Sequence, residues 1–306
     1  MPADTPALWV AMYHSVGPRA DARTDDPYNI TVTPRRLERQ LRWLRARGLL
    51  GVGMARLLRA RAAGGGSRLV GLTFDDGYAD FVEEALPLLR RYDCTATLFA
   101  LPGLLGGTND WDPLGPRRPL LDESGIRRAL TWGMEIGSHG LVHTDLTTAD
   151  DTTLRRETEE SRALLRSITG RDVLGFCYPY GTVDRRAADA VCAAGYSYAC
   201  AIDPGPLTGR FALPRLHIGE SDTGPRLRLK RRLHRWRRRP PGDGPGAGFV
   251  AEDRSPLLPR PEGHPPPGAR RGKTAAPHPA EPSASRPQPP SVPHPQNPSA
   301  PHPEAP

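Results

Sequence analysis

RLVGLTFDDGY, residues 68–78, is an apolar run that stops at two adjacent carboxylates. From Leu69 to Phe74 neither face of the run carries a charge, as expected of a strand covered on both sides in a parallel sheet. Asp75 and Asp76 follow at its C-terminal end, and Gly77 comes next. Two like charges side by side cost stability unless something uses them. A turn, a helix cap or a reactive site would each account for them.

Outward from this stretch, short apolar runs alternate with amphipathic ones. ALWVAMYH (7–14) reads as a buried strand. In TPRRLERQLRWLRARG (33–48), Thr33 caps, Pro34 takes the first helical position, and Leu37, Leu41 and Leu44 share one face. A second helix is expected over 54–62, and a third over 78–92 with a kink at Pro87. TATLFA (95–100) is a strand and 102–120 is irregular. MEIGS (134–138) is a strand, and 150–170 reads as one continuous helix ended by Gly170. VLGFCY, DRRAADAVCAAG and YSYACA repeat the strand–helix–strand rhythm, and FALPRLHI (211–218) is the last strand. The alternation predicts an α/β domain with a parallel sheet, as a barrel or as an open doubly wound sheet.

The foldable part is expected over residues 5–225. Residues 240–306 are Pro-rich and nearly free of aromatic and β-branched residues, so they are expected to be disordered. Between them, 226–239 is strongly basic and accounts for much of the net charge of +8. That segment is read as a solvated junction, with weak contact to an anionic membrane surface as a further role. Aromatics to stack on bases are nearly absent from it, so no nucleic-acid partner is inferred. The His-Pro repeats at 277–279, 293–295 and 301–303 are read as part of a polar tail. Cys94, Cys177, Cys192 and Cys200 form no CxxC pair and no zinc-knuckle spacing. No signal peptide or membrane-spanning run is visible, which makes a cytoplasmic location the default expectation, and a monomer is expected.

In a parallel α/β fold the site lies at the C-terminal ends of the strands. The polar residues there are His14, Asp75, Asp76, His139, His143, Tyr180 and His217. His139 and His143, in SHGLVH, have the H-x-x-x-H spacing that lets two imidazoles face one point. Two histidines and one carboxylate, from Asp75 or Asp76, make an open site for zinc or a similar divalent ion. The other aspartate is then placed to act as a base. A phosphatase of the haloacid type needs a residue between its carboxylates, and here they are adjacent.

TFDDG (73–77), SHGLVH (138–143) and PYG (179–181), in that order, resemble the three motifs of the polysaccharide deacetylase family, the NodB-homology domains of carbohydrate esterase family 4. The resemblance extends over roughly 8–218 and is nearest in style to the poly-N-acetylglucosamine deacetylase branch. It implies a distorted (β/α) barrel of seven strands and hydrolysis of N-acetyl groups from an amino-sugar glycan. Carried over, it implies Asp75 as general base and Asp76, His139 and His143 as holders of a divalent ion, Zn2+ first, then Co2+, Ni2+ or Fe2+. The backbone N–H of Tyr180 would face the oxyanion, and Pro179 and Trp111 would contact the sugar, Trp111 with the alternative of anchoring its loop.

The sequence departs from the family in four places. Gly140 stands where Ser or Thr is usual. Cys177 stands where an arginine normally orients the base, with Arg215 as a substitute. The D-x-x-D-W motif is missing. In PRLHI the histidine follows Leu216 directly, which by strand alternation turns His217 to the other face. His14, in MYHSVG, is therefore preferred to His217 as the acid that protonates the leaving amine. A carbohydrate-binding homologue without turnover is the alternative, opposed by the presence of all four metal and base positions.

Overall fold

The computed structural model describes residues 8–18 and 26–237, with side chains of the last helix described as far as Leu233. The proposed tail, 240–306, lies outside the described residues. Leu69–Phe74 forms a strand near the middle of a parallel sheet. On one side it pairs with Val10–Tyr13, which pairs with Leu216–His217. On the other side follow Thr97–Ala100, Glu135–Ser138, Gly175–Cys177, Tyr198–Ala201 and Leu213–Pro214. The outermost pairings on the two sides thus belong to one run, 213–217, interrupted at Arg215. That run draws the sheet into a nearly closed barrel and excludes the open doubly wound alternative. Eight strand segments line the ring. The expected seventh strand is present as two short pieces.

Alternation sorts the side chains into two cores. Val10, Phe99, Cys177, Tyr198, Cys200 and Leu213 point into the barrel, where Met54 and Leu57 of the helix Met54–Ala62 join them. Ala11, Leu72, Phe74, Leu98, Ile136, Phe176 and Ala199 point outward under the helices. The interior has room for its aromatics because glycines face them: a Cβ on Gly137 would lie 2.5 Å from the Phe99 ring. Glu135 accepts from the Tyr198 hydroxyl, Thr97 Oγ1 and the Ala55 N–H, so it ties three strands' worth of barrel to the start of that helix.

The helices follow the sequence with two exceptions. In Pro34–Arg45, Thr33 Oγ1 accepts from the Arg36 N–H at 3.1 Å and Leu37, Leu41 and Leu44 are buried, as the spacing predicts. Over 78–92 a wide π-turn, Phe81–Ala85, precedes the α-helix Leu86–Arg91. The change of register there accommodates Pro87, which has no N–H to donate. The expected continuous helix over 150–170 is also divided, into Asp151–Arg155, a π-turn Arg156–Glu160, and Ser161–Thr169.

The expected boundary at 225 falls inside a helix, Gly224–Arg237. Leu227 of that helix is buried, and Lys230 Nζ donates to His217 O at 2.9 Å and to Asp222 at 2.6 Å. The first half of the basic segment is therefore packed on the barrel wall. No helix among the described residues is long and apolar enough to cross a membrane.

Candidate active site

The strands end together, and a cavity of about 330 Å3 opens where they do. Asp75, Asp76, His139, His143, His14 and His217 all line it. Asp75 is the next inward position after Thr73, and His139 is the next after Gly137. Asp76 and His143 both have positive φ, 69° and 68°, uncommon for residues with a side chain and typical of strained functional turns.

Asp76 Oδ1 lies 3.1 Å from His139 Nε2 and 3.4 Å from His143 Nε2. One donor atom from each residue falls within 4.8 Å of the others, and all three residues are buried. His139 Nδ1 contacts the Cys177 carbonyl at 2.8 Å, which fixes the ring and leaves Nε2 facing Asp76. Burial opposes charge on both members of this pair, but His139 and His143 beside Asp76, and Cys177 and then Asp76 beside His139, outweigh it. Asp76 is held well below the ordinary carboxylate range and His139 is raised above its ordinary value. His143 is lowered, by burial first. Its ring is clasped between Trp111, stacked at 4.6 Å, and Tyr180, edge-on at 4.6 Å.

The loop that carries the two histidines is held by Glu157, which sequence analysis missed. Its carboxylate accepts from the Leu141 N–H at 2.6 Å, the Val142 N–H at 3.2 Å and Thr144 Oγ1 at 2.9 Å. Glu157 is buried in the π-turn Arg156–Glu160, and that turn breaks the helical periodicity that would otherwise have assigned it a face. It also explains Gly140. The backbone there has φ +87°, and a Cβ would come within 2.5 Å of Glu157 Oε2. The space for a Ser or Thr side chain is occupied by the glutamate.

Arg215 takes the place that Cys177 leaves vacant. Its Nη1 donates to Asp75 Oδ1 at 2.7 Å, and both side chains are almost fully buried. Burial alone would push the Asp75 pKa up, but Arg215, helped by His139 and His14, outweighs it, and the net shift is downward. Cys177 is beside them, with Sγ 3.6 Å from Asp75 Oδ2 and its thiol pushed up by burial.

The expectation that His217 faces away from the site is corrected. Arg215 and His217 are two residues apart, so alternation turns both inward, and it is Leu216 that faces the helices. His14 and His217 have ring centroids 6.1 Å apart across the cavity. His14 Nε2 is 3.9 Å from Asp75 Oδ2. The His217 pKa is lowered, by burial first and then by His14 and Lys230.

Tyr180 projects from the Pro179–Gly181 turn with φ 60° and is half exposed at the cavity rim. Pro179, expected at the sugar, is buried and does not line the cavity. It packs beneath the histidine loop, 3.6 Å from where a Gly140 Cβ would be. Trp111 does line the cavity, but one of its faces is taken by His143. It therefore serves as loop anchor and cavity wall together. Tyr28, Tyr78, Tyr178 and Ile202 belong to the apolar lining, together with Met12 and Ile30. Nothing in their local sequence signals this, because they come from separate parts of the chain.

Residues 63–199 match the family model described as Polysaccharide deacetylase. The YxkH protein of Bacillus subtilis (strain 168), whose name also places it among the polysaccharide deacetylases, is 25% identical over 228 residues, covering 73% of this chain and 74% of its own. A poly-beta-1,6-N-acetyl-D-glucosamine N-deacetylase of Staphylococcus aureus (strain N315) is 23% identical over 204 residues, 63% of this chain and 69% of that one. The Streptococcus pyogenes deacetylase PplD, solved with acetate, superposes with a TM-score of 0.63 at 22% identity, covering 73% of this chain and 97% of that one. The de-N-acetylase from Aggregatibacter actinomycetemcomitans gives a TM-score of 0.63 at 19% identity, covering 73% and 99%. Both structures share the fold.

Proposed function

We propose, for a chain that belongs to the polysaccharide deacetylase family, that its barrel hydrolyses the N-acetyl group of an amino sugar in a polysaccharide or glycoconjugate and releases acetate. The observation that carries this is the meeting of Asp75, Asp76, His139 and His143 in one cavity, with Arg215 bound to Asp75.

Asp76, His139 and His143 fit a divalent ion. Their donor set is two imidazole nitrogens and one carboxylate oxygen, all buried, and His139 already commits its other nitrogen to a carbonyl. Zn2+ is the first candidate, with Co2+, Ni2+ or Fe2+ beside it. Bound there, the ion supplies Lewis-acid polarisation of the acetamide carbonyl and of water.

The chain's own residues do the rest. Asp75 presents Oδ2 to the cavity while Arg215 holds Oδ1, so its lone pair accepts the proton of the attacking water. As the water oxygen bonds to the carbonyl carbon, negative charge moves to the carbonyl oxygen, where the Tyr180 N–H donates. The C–N bond then breaks and the amine takes a proton from a histidine. His14 is better placed for this than His217, because it reaches Asp75 at 3.9 Å and because the surroundings of His217 disfavour its charged form.

The staphylococcal relative's name makes β-1,6-linked N-acetylglucosamine the first substrate to try. Acetate release is measured on β-1,6 and chitin-type oligomers and on peptidoglycan, with and without chelator. Release that stops on chelation and returns with Zn2+ is expected. Undiminished release from the chelated protein, or none from any substrate when metal-loaded, overturns the proposal.

A further inference from the structure

We propose that the outer face of the helix Gly224–Arg237 docks this protein onto an anionic lipid surface. Three contacts fix how the helix is turned. Leu227 is buried against the barrel, Lys230 reaches back to His217 O and Asp222, and the Arg231 guanidinium lies 5.1 Å from the Trp9 ring centre. Opposite these, Leu229 and Leu233 are 57% and 43% exposed, one helical turn apart. Single exposed leucines are ordinary on a protein surface. Here the two form a pair flanked by the exposed side chains of Arg226, Arg228 and Arg232.

Every charged residue that this helix itself carries is basic. The sequence contains no carboxylate from Gly224 to Gly242, and it remains basic as far as Arg239. The adjoining helix Pro34–Arg45 packs Trp43 against Gly224 and exposes Arg35 and Arg39. Apolar side chains ringed by arginines suit the boundary between headgroups and acyl chains: the leucines enter and the guanidiniums bind phosphates. A nucleic acid would use the arginines but has no use for the leucines. The helix runs back along the barrel wall toward Trp9, which precedes the first strand, whereas the cavity opens at the strands' C-terminal ends. Docking by this flank leaves the cavity free for substrate.

The test is co-sedimentation of the full chain with vesicles of phosphatidylglycerol and phosphatidylcholine, against phosphatidylcholine alone, at low and high salt. Binding to the anionic vesicles only, weakened by salt, is expected. Replacing Arg226, Arg228 and Arg232 together by Gln should weaken it on the order of a hundredfold, at about tenfold or less per cation. The pair Leu229→Ser and Leu233→Ser should weaken binding even at low salt, since it leaves every charge in place. Both variants should keep the parent's melting temperature and acetate release. Equal binding to both vesicle types, or binding unchanged in either variant, overturns the proposal. So does retention by a mixed-sequence oligonucleotide with no retention by vesicles.

Discussion

Replacing Arg215 by Met should destabilise the barrel through a single buried carboxylate. Arg215 and Asp75 are 1% and 2% exposed, and the N–O distance is 2.7 Å. Breaking such a pair from one side leaves a charge without a partner, at a cost of about 3–5 kcal/mol. In a domain of this size each kcal/mol lowers the melting temperature by roughly 2–4 °C, so a fall of about 6–20 °C is expected. The variant also reverses a pH dependence. In the parent, the Asp75 pKa lies below its unfolded value, so its stabilising contribution is present above that value and lost as acid protonates it. Without Arg215, burial dominates, the pKa rises, and stability falls as pH increases through the carboxylate range. The assay is thermal unfolding followed by circular dichroism in the presence of chelator, at several pH values. Asp75→Asn added to Arg215→Met should recover much of the loss, because a neutral amide tolerates the site better than an unpaired carboxylate. A loss below about 1 kcal/mol, or a double variant no more stable than the single one, would refute the idea that this pair holds the base.

Asp75→Asn alone should abolish acetate release while leaving Zn2+ binding, measured by calorimetry, near the parent's value. Gly140→Ser, which restores the family's usual residue, should cost about 1–3 kcal/mol in denaturant unfolding, since it strains a left-handed backbone against Glu157. Glu157→Ala should weaken metal affinity roughly 10- to 100-fold by releasing the histidine loop, as loss of an outer support commonly does. Asp80 is half-buried, and desolvation pushes it up to about 6 against hydrogen bonds from Ser15 and the Val16 N–H. The folded form thus binds its proton more tightly than the unfolded chain, and stability should fall by about 2–3 kcal/mol as pH rises from roughly 4 to 6. Asp80→Asn should flatten that part of the pH–stability curve, and an unchanged curve counts against the assignment.

Much of the barrel can be read in the sequence because it is local. Leu69–Phe74 is apolar on both faces, and Thr33 and Pro34 mark a helix start within four residues. The meeting of His139 and His143 with a carboxylate of Asp75 or Asp76 was also legible, since the C-terminal ends of the two parallel strands that carry them lie on one side of the sheet. What stayed hidden depends on distant partners or on breaks in periodicity. Arg215 was named as a substitute partner for Asp75, but the ion pair itself spans 140 residues and depends on the register of the closing strand, which no local pattern supplies. The inward turn of His217 was missed because alternation was counted from a motif rather than from Arg215 two residues earlier. The two π-turns, Phe81–Ala85 and Arg156–Glu160, add a residue to a repeat that otherwise reads as regular helix. Glu157 went unnoticed for that reason.

The interrupted strand at 213–217 makes the order of synthesis matter. Asp75 leaves the ribosome long before the only part of the barrel that carries both Arg215 and His217. Until that run arrives, the carboxylate can remain hydrated, and the ring has two unsatisfied edges. A single late event then covers the edges, supplies the counter-charge and brings in the second histidine. A nascent or truncated chain ending before Leu213 would therefore lack both its final strand pairing and the guanidinium that neutralises the buried Asp75.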